Sequence, residues 1–252
     1  MSSSKSLKLS TKQDEALSVK AAKVKRELKR HSSKQKAKIL QNFFKTGPGQ
    51  YGEGDIFLGV KVPQTRSVAK RNQDLSLSET LEILKSPIHE ERLLALLIFI
   101  MKYNKGNISQ REKIFKVYLN NTKFINNWDL VDLSAPNIVG DFLKDKDKRT
   151  LYKLARSKSL WQRRVSIVAT LSFIRNNKFE DTLKIAKILL SDKHDLIHKA
   201  CGWMLREVGK RDKLKEEEFL KRHYKTMPRV MLRYAIEKFP EKLRLQYLKG
   251  RV

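Results

Sequence analysis

The sequence predicts an all-α chain built as a solenoid of stacked helix pairs. Three observations lead there. No stretch of the 252 residues sustains apolar–polar alternation with period two, so almost no sheet is expected. Helix start signals recur along the chain. A helical segment also repeats: LLALLIF, DLVDLSA, RVSIVAT, HKACGWM and RYAIEKF align on Ala95, Val131, Ser166, Ala200 and Ala235, at intervals of 36, 35, 34 and 35 residues. A second helical segment fits into each interval. Units of this size bury one face against their neighbours and leave a concave surface for a ligand. The reading is a HEAT-like α-solenoid of about six helix pairs with a concave basic face, its period slightly short for such repeats.

The elements follow in order. Residues 1–9 are rich in Ser and Lys and read as a disordered tail, leaving 10–252 as one domain. From Ser10 to Phe44 the apolar residues Ala16, Val19, Val24, Leu28, Ile39 and Leu40 stand among lysines, which fits one or two basic amphipathic helices. Ser76 with Glu79, and Ser109 with Glu112, read as capping boxes. Ser86 before Pro87, and Thr226-Met227 before Pro228, suit a cap with proline in the first helical turn.

The totals then narrow the partner. With 55 Lys+Arg against 27 Asp+Glu, the net charge is +28 and the pI about 10.2. Such a balance points to a polyanion, nucleic acid before an anionic membrane. The longest apolar run, LLALLIFIM, is about half the roughly 18 residues a membrane span needs. MSSSKSLKLS lacks the apolar core of a secretory signal, and the single Cys201 excludes a disulfide framework or a Cys-rich zinc site.

Several motifs invite chemistry. TGPGQYGEGD carries a literal G-x-G-x-x-G at Gly47, Gly49 and Gly52, but it follows a helix rather than a strand, and Glu53 and Asp55 would repel a pyrophosphate. A structured inter-helix loop is expected. His194 and His198 have the i,i+4 spacing of a metal pair, without the glutamate of a metalloprotease helix or an evident third ligand; no metal or cofactor is expected. Cys201 reads as a small buried residue. The three tryptophans are the sharper signal: Trp128 with Asp132 one turn on, Trp161 with Arg163 and Arg164, and Trp203 with Arg206. Each reads either as a core anchor with charged flanks or as part of a site.

At these residues the chain resembles the AlkD family of DNA glycosylases. The likeness runs from about Phe43 to Gly250 through FFKTGPGQYGEGDIFLGVKVP, HEERLLAL, INNWDLVDLSAP, LWQRRVSIVAT, HDLIHKACGWMLREVGKRD and MPRVMLRYAIEKFP. The resemblance implies a monofunctional, monomeric glycosylase of the bacterial cytoplasm and nucleoid. It would release alkylated, cationic purines from double-stranded DNA without flipping the base. Trp128 and Asp132 match the family's catalytic Trp-x-x-x-Asp pair, Trp203 its second tryptophan, and Arg164 its arginine, with adjacent Arg163 left open. Arg163, Arg164, Lys199, Arg206 and Phe43 are the expected DNA contacts. Phe43 stands where some members carry tyrosine, and the Gly-rich loop is longer, which puts a hydroxyl contact in doubt. A non-catalytic DNA- or RNA-binding solenoid remains the alternative.

Overall fold

The computed structural model describes residues 19–252, so the expected tail and Ala16 lie outside the described residues. The chain is all-α, and the described residues hold no strand, only one isolated bridge between Ile56 and Ile88. Two compact units divide it, one ending at Leu130 and one running Val131–Val252.

The first unit opens with α1 (19–29), whose Ala21, Val24 and Leu28 recur at helical spacing and are buried. There follow α2 (Lys34–Phe43), α3 (Val62–Arg71), α4 (Leu77–Leu84), α5 (His89–Lys105) and α6 (Ile108–Asn120). The central helix is α5, against which α3, α4 and α6 pack. Leu93 to Phe99 is a continuous buried apolar run on it. Each such side chain contributes roughly 1.5–3 kcal/mol. By contrast α2 buries none of its residues and leaves Ile39 and Phe43 about 60% exposed.

The Gly-rich segment is the inter-helix loop expected, between α2 and α3. Glu53 accepts from the Gly49 amide at 2.9 Å, so the acid that would repel a phosphate closes a turn instead. Farther along, the buried Glu90 carboxylate gathers the amides of Leu58, Gly59 and Val60 at 2.7–3.2 Å. Gly59 has φ +79°, and a Cβ there would lie 2.2 Å from the Ser33 carbonyl, so this position needs glycine.

Helix α7 (Trp128–Ala135) leads into the second unit. Pro136 has no N–H to donate to the Asp132 carbonyl, and the chain widens into a π-type turn, Pro136–Gly140. After the short α8 (Asp141–Leu143) come α9 (Arg149–Ala155), α10 (Leu160–Ala169), α11 (Leu171–Arg175), α12 (Glu180–Ile188), α13 (Asp195–Gly209), α14 (Lys213–His223), α15 (Arg229–Ala235) and α16 (Glu241–Leu248). Here α10, α13 and α15 form a row of neighbours, with α9, α12 and α14 packed beside them. Gly202 lets α15 approach closely: a Cβ there would lie 2.4 Å from the Met231 carbonyl.

The repeat positions Ala95, Val131, Ser166, Ala200 and Ala235 fall on five different helices, and each is at most 1% exposed. The Ser76–Glu79 capping box forms. Ser109–Glu112 does not, because Asn107 takes the cap two residues earlier and pairs with Gln110. Ser86 does not cap α5 either; Ile88 is the cap residue, and Ser86 Oγ accepts from its amide. Pro228 occupies the cap of α15 rather than its first turn.

Candidate functional site

In the first unit, the start of α7 is held from several sides. Asn127, fully buried, accepts from the Trp128 amide at 2.8 Å and donates to Asp55 Oδ2 at 3.2 Å. Asn126 also donates to Asp55, at 3.4 Å. The Trp128 indole, half-buried, stacks on Phe44 at 5.2 Å and 24°, and exposed Phe43 meets it edge-on at 6.0 Å. An apolar cavity of about 480 Å³ opens beside this corner, lined by Ile39, Phe43, Phe44, Phe57 and Val62 with Lys36 and Lys61.

Beneath the aromatic layer lies a cluster of charged groups. His89, 2% exposed, bridges two carboxylates: Nδ1 lies 3.1 Å from Asp55 Oδ2 and Nε2 2.8 Å from Asp129 Oδ2. Arg92 donates to Asp55 Oδ1 at 2.6 Å and to the carbonyls of Ser86 and Pro87. Burial works to raise the Asp55 pKa, but hydrogen bonds and the charges of His89 and Arg92 outweigh it and hold the carboxyl below its ordinary range. Burial likewise works to lower His89, and its hydrogen bonds to Asp129 and Asp55 outweigh it, so the imidazole sits above its ordinary value.

In the second unit, Asp132 stands one turn along α7 from Trp128, and Arg164 on α10 reaches it. Arg164 Nε donates to Oδ1 at 2.8 Å and Nη2 to Oδ2 at 2.7 Å, a planar two-point grip that a lysine cannot make. The Nη1 donates to the Leu196 carbonyl on α13 at 2.5 Å. The arginine side chain is 6% exposed while that of Asp132 keeps 21%. A buried cation thus presents a carboxylate that solvent still reaches. Trp203, on α13 and half-buried, donates its Nε1–H to Glu207 at 3.2 Å.

The expected phosphate contacts differ in how far they are engaged within the protein. Arg164 is bonded to both oxygens of Asp132 and to the Leu196 carbonyl. Arg163 is committed as well, to Asp192 Oδ2 at 2.6 Å and to the carbonyls of Ser157 and Lys158. Arg206 is mostly buried and bonded to Glu237. Lys199 pairs with Asp195 at 2.6 Å but remains 39% exposed, and Phe43 is 61% exposed.

His194 caps α13 by accepting from the Leu196 amide at 3.1 Å, and His198 Nε2 lies 2.5 Å from the Asp192 carbonyl, so local geometry occupies both rings. Cys201 is fully buried, and burial pushes its thiol far above the ordinary range. The His89 cluster was not legible in the sequence as a site. All four residues of HEER at the start of α5 are buried.

A family described as DNA alkylation repair enzyme matches residues 24–239, most of the chain. The chain belongs to that family. Among solved structures, one described as a predicted DNA alkylation repair enzyme from Enterococcus faecalis is similar, with a TM-score of 0.66 and 15% identity. The match covers 84% of this chain and 98% of that one, and at this identity it speaks for the fold. No curated protein matches. DNA as partner of a DNA alkylation repair enzyme accounts for the +28 charge. No helix of the described residues is long and apolar enough to cross a membrane.

Proposed function

We propose that this member of the DNA alkylation repair family is a monofunctional glycosylase that releases N3- or N7-alkylated purines from duplex DNA. One observation supports this above the rest: Asp132 is partly open to solvent and fixed in two places by a buried arginine. A carboxylate is out of place on a polyanion-binding surface unless the reacting atoms are cationic. Alkylation puts positive charge on the purine and weakens its glycosidic bond. As C1′–N breaks, the base takes the bonding pair and leaves neutral, so a general acid is unnecessary. The sugar becomes oxocarbenium-like, and water attacking C1′ completes hydrolysis. Asp132 supplies the preorganised negative charge and an acceptor for the water's proton. Arg164 fixes its direction. The faces of Trp128 and Trp203 attract cations, each worth roughly 0.5–2 kcal/mol depending on desolvation. Lys199, Phe43 and the exposed lysines of α1 and α2 are the proposed DNA contacts, and no lysine is assigned Schiff-base chemistry. The family resemblance adds that the lesion stays stacked.

One observation favours a second reading. The Asp132 charge is matched by Arg164, and an ion pair that merely joins α7 to α10 would look the same in a non-catalytic DNA-binding solenoid. Incubation with duplex DNA bearing 7-methylguanine or 3-methyladenine, followed by detection of free base, decides between them. Release supports the enzyme, and tight binding without release supports the binding module.

A further inference from the structure

We propose that His89 is a positioning residue for Trp128, joining the first turn of α7 and the aromatic wall behind the indole into one unit. The inference rests on the glycosylase reading only for its effect on rate. Two lines of contact converge on this ring. Along the polar line, Nε2 meets Asp129, the residue after Trp128, while Nδ1 meets Asp55, which in turn holds Asn127, whose Oδ1 takes the Trp128 amide. Along the apolar line, the imidazole stacks on Phe57 at 4.5 Å and approaches Phe44 at 5.0 Å, and Phe44 carries the indole at 5.2 Å. Few side chains could serve both lines. An amide would keep at most part of the hydrogen bonding and none of the ring stacking.

The charge state of His89 enters as well. Facing it are Asp55 from the loop, which Asn127 also bonds, Asp129 from α7, and Arg92 from its own helix, with Glu90 alongside occupied by the loop amides. With both carboxylates ionised, the imidazolium donates to each through one ring nitrogen. Neutral imidazole keeps only one N–H, so one carboxylate loses its bond to the ring and faces a lone pair instead. The placement of Trp128 therefore depends on that proton. The two carboxylates raise the His89 pKa above its ordinary value, and Trp128 loosens as pH rises through that raised value.

The test uses the full chain carrying 5-fluorotryptophan, with the Trp128 resonance in the 19F spectrum assigned by Trp128→Phe. In the wild type, that resonance is expected to move through one titration centred above the ordinary histidine value, while Trp161 and Trp203 stay put. His89→Gln is expected to abolish the titration, leave duplex Kd within about twofold and slow single-turnover base release about tenfold, flattening its decline at high pH. A Trp128 resonance that does not titrate in the wild type overturns the proposal, and this arm needs no variant to fold. If His89→Gln unfolds, Asp129→Asn replaces it, and an unaltered Trp128 titration there overturns the proposal equally. Wild-type protein that releases no base defeats the glycosylase reading, while the 19F titration still decides the role of His89.

Discussion

Arg164 grips Asp132 through two parallel hydrogen bonds, Nε to Oδ1 at 2.8 Å and Nη2 to Oδ2 at 2.7 Å, with the guanidinium buried and the carboxylate partly open. The pair is unequal, and that inequality sets what each substitution should do. Removing the carboxylate strands a buried cation. Removing the arginine frees an acid that water can reach, at the cost of its direction.

Arg164→Ala should therefore impair both folding and chemistry. Breaking a buried pair costs about 3–5 kcal/mol when the remaining charge stays buried. Partial exposure of Asp132 should place this variant at or below the lower end. Arg164→Lys restores a charge but not the two-point grip, so it should recover most of the stability and little of the rate. Urea unfolding alongside single-turnover release checks both.

DNA binding should lose affinity steeply with salt, at about −0.9 in log–log slope for each phosphate neutralised. The committed arginines should not contribute. Arg163→Ala should lower the melting temperature by releasing Asp192 and the Ser157 and Lys158 carbonyls while leaving the salt slope unchanged. Replacing the exposed Lys34, Lys36 and Lys38 of α2 together should make the slope shallower. Fluorescence titrations at several salt concentrations separate the two classes.

Glu216 supplies a pH signature independent of catalysis. Burial, with some help from neighbouring Glu217, pushes its carboxyl up to about 8. A raised carboxyl pKa means the fold keeps a proton that the unfolded chain gives up. The associated stability is complete below about 4.5 and is lost as pH climbs from there to about 8, up to roughly 5 kcal/mol over the whole window. Glu216→Gln, which mimics the protonated form, should flatten the unfolding free energy between pH 5 and 8.

Gly202→Ala should cost about 1–3 kcal/mol, because the added methyl meets the Met231 carbonyl and Tyr234 Cβ across the α13–α15 interface. Thermal unfolding reads this directly, and a stability equal to wild type would mean that α15 can shift away at no cost.

The sequence shows the helix repeat because five buried positions, Ala95 to Ala235, recur at one interval, and burial on a helix imposes periodicity. The ends of helices were less legible. Asn107 took the cap from Ser109 because several capping residues stood within one turn and the backbone could use only one. In the candidate site, the three tryptophans stood out through their rarity, and Asp132 through standing one turn beyond Trp128. The partners of the arginines did not. Nothing local in LWQRR says that Arg164 will meet an acid 32 residues away, or that Arg163 will meet Asp192. Asp55, His89 and Asp129 lie 34 and 40 residues apart and meet only through the fold, so no spacing could announce them.

The measurement that bears most directly on the central claim is single-turnover release of 7-methylguanine by wild type and Asp132→Asn, with duplex binding and melting temperature measured on the same samples. Asparagine offers Arg164 one acceptor oxygen instead of two and no charge, so some loss of stability is expected, and temperature must be set below the variant's transition. The account predicts release by the wild type, a rate at least about 10² lower for the variant, and binding that holds or tightens as a negative charge leaves a surface facing phosphates. A folded Asp132→Asn variant that releases base at the wild-type rate would contradict it.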